Sequence, residues 1–177
     1  SWMNSTLNGM PVNPRSGYLV EVNALWYNAL KFAAAIFAEN GGDAKEIEKW
    51  ESLAQKVGAS YGSTFLNDYG YLYDYVDGNM TDWSVRPNML IAISLEYSPL
   101  DRRQRKAILD IVTKELLTPK GVRSLSPKSW GYRPWYSGTP YERALAQHQG
   151  PARPWLMGAY TDAYLRIFGV SGVAFIE

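Results

Sequence analysis

Cysteine is absent from the 177 residues, and histidine occurs once, as His148. Without cysteine there is neither a disulfide framework nor a thiolate metal site. A single imidazole also excludes a multi-histidine zinc site. An excess of charge of one sign is lacking too: 18 Lys and Arg face 17 Asp and Glu, for a net charge of +1. That balance gives no electrostatic basis for binding nucleic acid or an anionic membrane. No apolar run approaches the ~20 residues of a membrane span. The opening residues have neither the basic start nor the apolar stretch of a signal peptide, and Ser1 in place of Met suggests tag processing or an internal start. A Gly-rich phosphate loop, a strand–helix alternation and a sequence repeat are all missing, so no metal and no cofactor is expected.

Aromatic residues, by contrast, are plentiful. Seven Trp and thirteen Tyr are many for this length, and several stand beside Gly, Pro, Asn and Asp instead of inside regular patterns. Such rings stack on flat apolar faces while their polar tips hydrogen-bond. This composition suits a carbohydrate site, where pyranose C–H faces stack and hydroxyls meet polar side chains. It equally suits a large core with Tyr-rich loops between helices.

Along the chain, residues 18–39 read as a helix apolar around most of its circumference, through Val22, Leu25, Trp26, Ala29, Phe32, Ala33, Ile36 and Phe37. Little of it is expected to face water. Gly41-Gly42 ends it, and Asp43 with Glu46 predicts a capping box for an amphipathic helix that follows. The segment 67–87 scatters Asp68, Asp74, Asp77 and Asp82 among tyrosines, with an extended piece near Leu72–Val76 and a turn at Asp77-Gly78-Asn79. Asn88 is placed as the cap of a short helix over Met89–Leu95. A further helix spans 101–117, with Arg102, Arg103, Arg105 and Lys106 on a solvated face. Residues 118–152 read as a long aromatic loop that needs to pack or bind something. A last helix runs from Pro154 to Phe168, and VSGVAFIE follows without a clear terminator. The pattern predicts a single all-α domain over residues 1–177, built of helical hairpins with long aromatic-rich loops.

Several stretches carry a resemblance. Trp2-Met3-Asn4, followed by PVNPRSGYLVEVNALWYNAL, resembles a segment of the glycogen debranching enzyme family that begins Thr-Trp-Met-Asp. The similarity continues through Arg86-Pro87-Asn88, Ser98-Pro99-Leu100, Leu125-Ser126-Pro127, His148-Gln149-Gly150 and Pro154-Trp155-Leu156-Met157-Gly158. The resemblance implies the amylo-α-1,6-glucosidase domain, an (α/α)6 toroid around a glucan-binding cleft that removes an α-1,6-linked glucose with inversion. It implies an α-glucan or oligosaccharide as partner and favours a cytoplasmic location. Such a toroid needs about twelve helices, so the chain is expected to be a C-terminal portion of a larger enzyme, with the remainder as a further partner. Exposed apolar surface and self-association are expected for such a piece.

Inverting hydrolysis needs a protonated acid at the leaving oxygen and a carboxylate that activates water across the ring, ~6.5–9.5 Å apart. The family's acid is the aspartate of the Trp-Met-Asp motif, and here that position is Asn4. An amide can hydrogen-bond to the glycosidic oxygen but cannot act as a general acid. In eukaryotic members a glutamate follows the His-x-Gly-Pro stretch, where this chain has Ala152. Glu21 remains as base, as sugar-hydroxyl ligand, or as a helix N-terminal carboxylate favoured by the dipole. Sugar contacts are assigned to Arg15, Asn23, Arg86, Asn88, His148 and Gln149, with Asp77 as a hydroxyl ligand or a turn cap. Stacking platforms are assigned to Trp2, Trp26, Tyr27, Trp135 and Trp155, although the core periodicity around Trp26 suits packing better.

Overall fold

The computed structural model describes residues 1–176. Its helices are α1 (Val20–Glu39), α2 (Ala44–Phe65), α3 (Asn88–Ser94), α4 (Arg102–Glu115), α5 (Pro140–Ala146), α6 (Leu156–Phe168) and α7 (Val173–Ile176), the last after a 3-10 turn at Gly169–Gly172. Between them lie β1 (Thr6–Leu7), β2 (Met10–Pro11), β3 (Tyr18–Leu19), β4 (Tyr75–Asp77), β5 (Met80–Thr81), β6 (Leu117–Thr118), β7 (Gly121–Arg123) and β8 (Ala152–Arg153). They form three small antiparallel sheets, β1-β2, β3-β4-β5 and β6-β7-β8.

With 52% helix and 11% strand the fold is mixed α/β, which overturns the all-α expectation and the toroid portion derived with it. The strands are two or three residues long, too short for a period-two pattern to register. Their partners are also remote in sequence: Tyr18 pairs with Val76, and Val122 with Arg153. Gly17 permits the first pairing. Its φ is +67°, and a Cβ there would stand 2.3 Å from the Val76 carbonyl oxygen, so only glycine fits.

The helices form where periodicity and caps place them, with differences in detail. Asp43 caps α2 by accepting from the Lys45 N–H, without the Glu46 half of a capping box. Asp101 and Gln104 make a full box at α4, and Thr139 and Glu142 make another at α5, inside the span read as a loop. Buried apolar residues from every long helix meet in one core, including Ala24, Phe65, Leu90, Ile93, Ile108 and Leu156. The short helix α3 lies at its centre against α1, α4 and α6.

One expectation fails on α1. Val22, Leu25, Trp26, Phe32 and Ile36 are each 39–53% exposed. An apolar circumference says which faces avoid water when covered, and here one face has no cover within the described residues. The three polar residues that interrupt the apolar pattern of α1 are each bridged: Asn23 to the Leu19 carbonyl, Asn28 from the Tyr97 N–H, and Lys31 to Glu51. The run that follows α6 turns at Gly169, and its final residue, Glu177, lies outside the described residues.

Candidate functional site

The two three-stranded sheets and the start of α3 converge on a buried polar network. The first sheet holds β4 beside β3, and the Val20 N–H donates to the Asp74 carbonyl at 3.2 Å. This brings Asp74 alongside Glu21 in the first turn of α1. The second sheet and the Gly150 N–H to Ser124 Oγ bond, 3.0 Å, fix the turn carrying His148 and Gln149. Pro87 then starts α3 and delivers Arg86 and Asn88 between the two.

Arg15 is the first hub. Its Nη1 and Nη2 donate to Glu21 Oε1 and Oε2 at 2.6 and 2.7 Å, a bidentate pair with both side chains 4% exposed. Its Nε stands 2.6 Å from Asp74 Oδ2 as an ion pair. Asp74 is the second hub, fully enclosed. Asn88 Nδ2 donates to its Oδ1 at 2.6 Å, Arg86 Nε lies 3.9 Å from its Oδ2, and Trp2 Nε1 in turn donates to Asn88 Oδ1 at 2.7 Å. Arg86 spends its other donors on the carbonyl of His148 and on Gln149 Oε1, at 2.8 and 2.9 Å. Asn13 joins them, donating to the His148 carbonyl at 3.2 Å. Two guanidinium groups and two carboxylates balance, the condition under which buried charges are tolerated.

The N-terminal segment is held on this network by contacts far apart in sequence: Trp2 to Asn88, Ser5 Oγ to the Ala144 carbonyl, and Ser1 Oγ to Glu21 Oε1. The Trp2 ring packs edge-on against both His148 and Trp155, with centroids 5.1 Å away in each case. His148 is buried, and neither ring nitrogen has a partner among the described residues. Burial, then Arg153 and Arg86, hold its imidazole down at about 4, so the ring is neutral at pH 7. A neutral ring presents one donor and one acceptor.

Comparison with known proteins now decides the family. The family model for amylo-alpha-1,6-glucosidase matches residues 1–173. The chain belongs to the amylo-alpha-1,6-glucosidase family. It is similar to the glycogen debranching enzyme of Saccharomyces cerevisiae, with 26% identity over 194 residues, 88% of this chain and 12% of the relative. The chain thus spans about one eighth of the length of that relative.

Of the candidates read from the sequence, this member of the amylo-alpha-1,6-glucosidase family gathers Trp2, Arg15, Glu21, Arg86, Asn88, His148, Gln149 and Trp155 into one contiguous set. Asn88 is not a cap: it is the first helical residue of α3, buried, with its side chain on Asp74 and Trp2. Asn23 bonds back to the Leu19 carbonyl just ahead of its helix and lines a separate recess with Tyr18 and Tyr61. Asp77 lies exposed at the end of β4, Trp135 is exposed on the long loop, and Asn4 is exposed beside the docked Trp2-Met3 pair. Asp74 and Asn13 were missed. A lone Asp among four in a Tyr-rich loop carries no local mark, and only the approach of Arg15 and Asn88 sets it apart.

Two titrations in the network oppose each other. Burial pushes the Asp74 carboxyl up to about 6 from an ordinary 3.8, against Arg15, Arg86 and the Asn88 hydrogen bond. A carboxyl that titrates higher when folded stabilises the fold in its protonated form, so this contribution is present below about pH 4 and is lost by about pH 6. His148 falls from 6.5 to about 4 on folding, so its contribution is present above about pH 6.5 and is lost as pH falls to about 4. Together the two largely cancel across that window. In urea unfolding at pH 4.5 and 6.5, His148→Gln should leave stability declining as pH rises, and Asp74→Asn should leave it declining as pH falls. Slopes of the same sign in both variants would refute the assignment.

Proposed function

We propose that this chain forms a glucan-binding part of a debranching glycoside hydrolase that acts on α-1,6-glucosidic branch points with inversion. The observation that carries this reading is the corner formed by Trp2, His148 and Trp155. There a neutral, buried imidazole with two unpartnered nitrogens lies against an indole edge, beside a second, half-exposed indole. Sugar hydroxyls are suited to a group that both donates and accepts, and the pyranose face is suited to the rings. Family membership supports an α-glucan as the substrate class.

Within this reading Asn4 occupies the acid position and weakens catalysis. Glu21 is better suited to anchoring than to serving as base. Its two oxygens already accept three bonds from Arg15 and Ser1, leaving little room for a water to be activated. Arg15, Asn88, Arg86 and Gln149 then fix the floor on which the Trp2–His148–Trp155 corner stands. Asp77, Asn23 and Trp135 reach a sugar only if the glucan extends beyond that corner. The closed Glu21 and the amide at position 4 favour a second reading, a carbohydrate-binding module without chemistry. Release of glucose from an α-1,6-branched limit glucan separates the two. It is to be measured for the chain and for Asn4→Asp, with the yeast relative as reference. Glucose released only by Asn4→Asp and the reference supports the enzymatic reading.

The exposed face of α1 supports a further partner, the remainder of a longer enzyme, because five large apolar side chains on one helix form more than scattered surface hydrophobicity. In the isolated chain that face should drive self-association. Sedimentation velocity should show a mass rising with concentration between micromolar and hundred-micromolar levels. Trp26→Glu combined with Phe32→Glu should return it to the 20.0 kDa monomer. A wild-type monomer throughout that range would discount the face as an interface.

A further inference from the structure

The loop before α3 and the loop after α4 meet in a groove of about 400 Å³ that shares no lining residue with the network around Asp74. Its aromatic side is Tyr69, Tyr71 and Trp83. Trp83 stands edge-on to Tyr73 at 4.7 Å and to Tyr69 at 5.9 Å, with interplanar angles of 81° and 73°. Its backbone is fixed on both sides: the Tyr71 hydroxyl donates to the Trp83 carbonyl at 3.0 Å, and the Ser84 N–H donates to Asp82 Oδ1 at 2.7 Å. The rings are nevertheless open to solvent, Trp83 by 44% and Tyr69 by 75%.

The opposite wall is polar. Glu115 Oε1 accepts from Lys128 Nζ at 2.6 Å, and Glu115 Oε2 accepts from Ser126 Oγ at 3.0 Å. The Ser126 N–H donates to the Val85 carbonyl at 3.0 Å, which ties this wall to the segment carrying Trp83. The Lys128 contact holds the Glu115 carboxyl below the usual range, so it stays an ionised acceptor through neutral and mildly acidic pH.

We propose that this groove is a second binding site for a linear α-1,4-linked glucan chain, separate from the corner at His148. The inference rests on the α-glucan reading above and adds the place where the unbranched chain is held. Exposed rings packed edge-on offer faces to pyranose C–H groups, while Glu115 accepts from hydroxyls and Lys128 donates to them. The 73° between Tyr69 and Trp83 suits a turning chain. Successive sugars stacked on the two rings must turn relative to one another, as they do along a coiled α-1,4 chain and do not along a flat β-1,4 chain. An apolar peptide fits less well, since it would strip water from the Glu115–Lys128 pair without replacing it. The volume lies within the range of small-ligand pockets.

The test follows indole N–H resonances of the 177-residue chain, with the Trp83 signal assigned by its loss in Trp83→Phe. Maltoheptaose should shift the Trp83 resonance. The dissociation constant read there should rise about tenfold in Tyr69→Ala, the loss of one ring contact, and severalfold in Glu115→Gln. Trp155→Ala should leave it unchanged, and cellohexaose should bind at least about tenfold more weakly. Tyr69 is too exposed for its loss to disturb folding. A Trp83 signal that does not move, an unchanged constant in Tyr69→Ala, or equal binding of cellohexaose overturns the proposal. Movement of the Trp155 and Trp2 signals alone overturns the groove while leaving the α-glucan reading standing. If no indole responds to maltoheptaose or to an α-1,6-branched oligosaccharide, both fall.

Discussion

Asn4→Asp should raise glucose release from an α-1,6-branched glucan by about 10²–10⁴-fold, the usual worth of a positioned general acid. An amide cannot deliver the proton that the departing oxygen needs, and an aspartic acid of the same shape can. Because residue 4 is exposed, the new carboxyl should titrate near the ordinary aspartate value of about 3.9 until substrate covers it. The gain should therefore be greatest below about pH 5 and should shrink towards neutrality. Asn4→Ser, which restores no acid, should show no gain. An unchanged rate in Asn4→Asp across pH 4–7 would remove position 4 from the chemistry and leave the binding-module reading.

Asp74→Ala should destabilise the fold by about 3–5 kcal/mol, the cost of leaving buried charges without their partner. Arg15 Nε and Arg86 Nε would face an emptied site, and the Asn88 amide that holds Trp2 would lose its acceptor. Trp2 should loosen with it, visible as a red-shifted tryptophan emission before global unfolding. Arg15→Ala should cost a similar amount by stranding Glu21 and Asp74. The double variant should cost at least ~1 kcal/mol less than the sum of the two, because the second deletion removes a charge already orphaned. Urea unfolding of the four proteins measures this, with Asp74→Asn replacing Asp74→Ala if the latter does not fold. Strict additivity would mean that the two side chains do not act as one unit.

Read from sequence, the long helices were accessible because their caps and apolar spacing are local properties. Asp43, Asp101 and the break at Gly41-Gly42 mark boundaries within a few residues of where they fall. Of the sheets, only the extended piece near Leu72–Val76 and the turn after it were accessible. The pairings were not, since Tyr18–Leu19 is a strand only because Tyr75–Val76 comes to lie beside it. The same limit explains Asn88. Its position before a short apolar run suits a cap, and only the burial of α3 turns its side chain inward to Asp74. The family motifs located most of the network, because they record which residues occur together irrespective of distance along the chain. Asp74 lay outside the roles they assigned, and exposed apolar surface was expected of such a piece but not located on α1. Periodicity reports amphipathicity and is silent on whether a partner surface exists.

The separation in sequence of the contacts that dock the N-terminal segment also sets an order in time. The α1–α2 hairpin closes over a turn of a few residues, whereas Trp2 must find Asn88 across 86 positions and Ser5 must find Ala144 across 139. Loop closure of that length is entropically costly and slow, so the helices should form first and the Trp2–His148–Trp155 corner last. On refolding from urea, far-ultraviolet ellipticity should therefore recover before the tryptophan environment does. A nascent chain would pass through a helical state in which this corner has not yet been assembled.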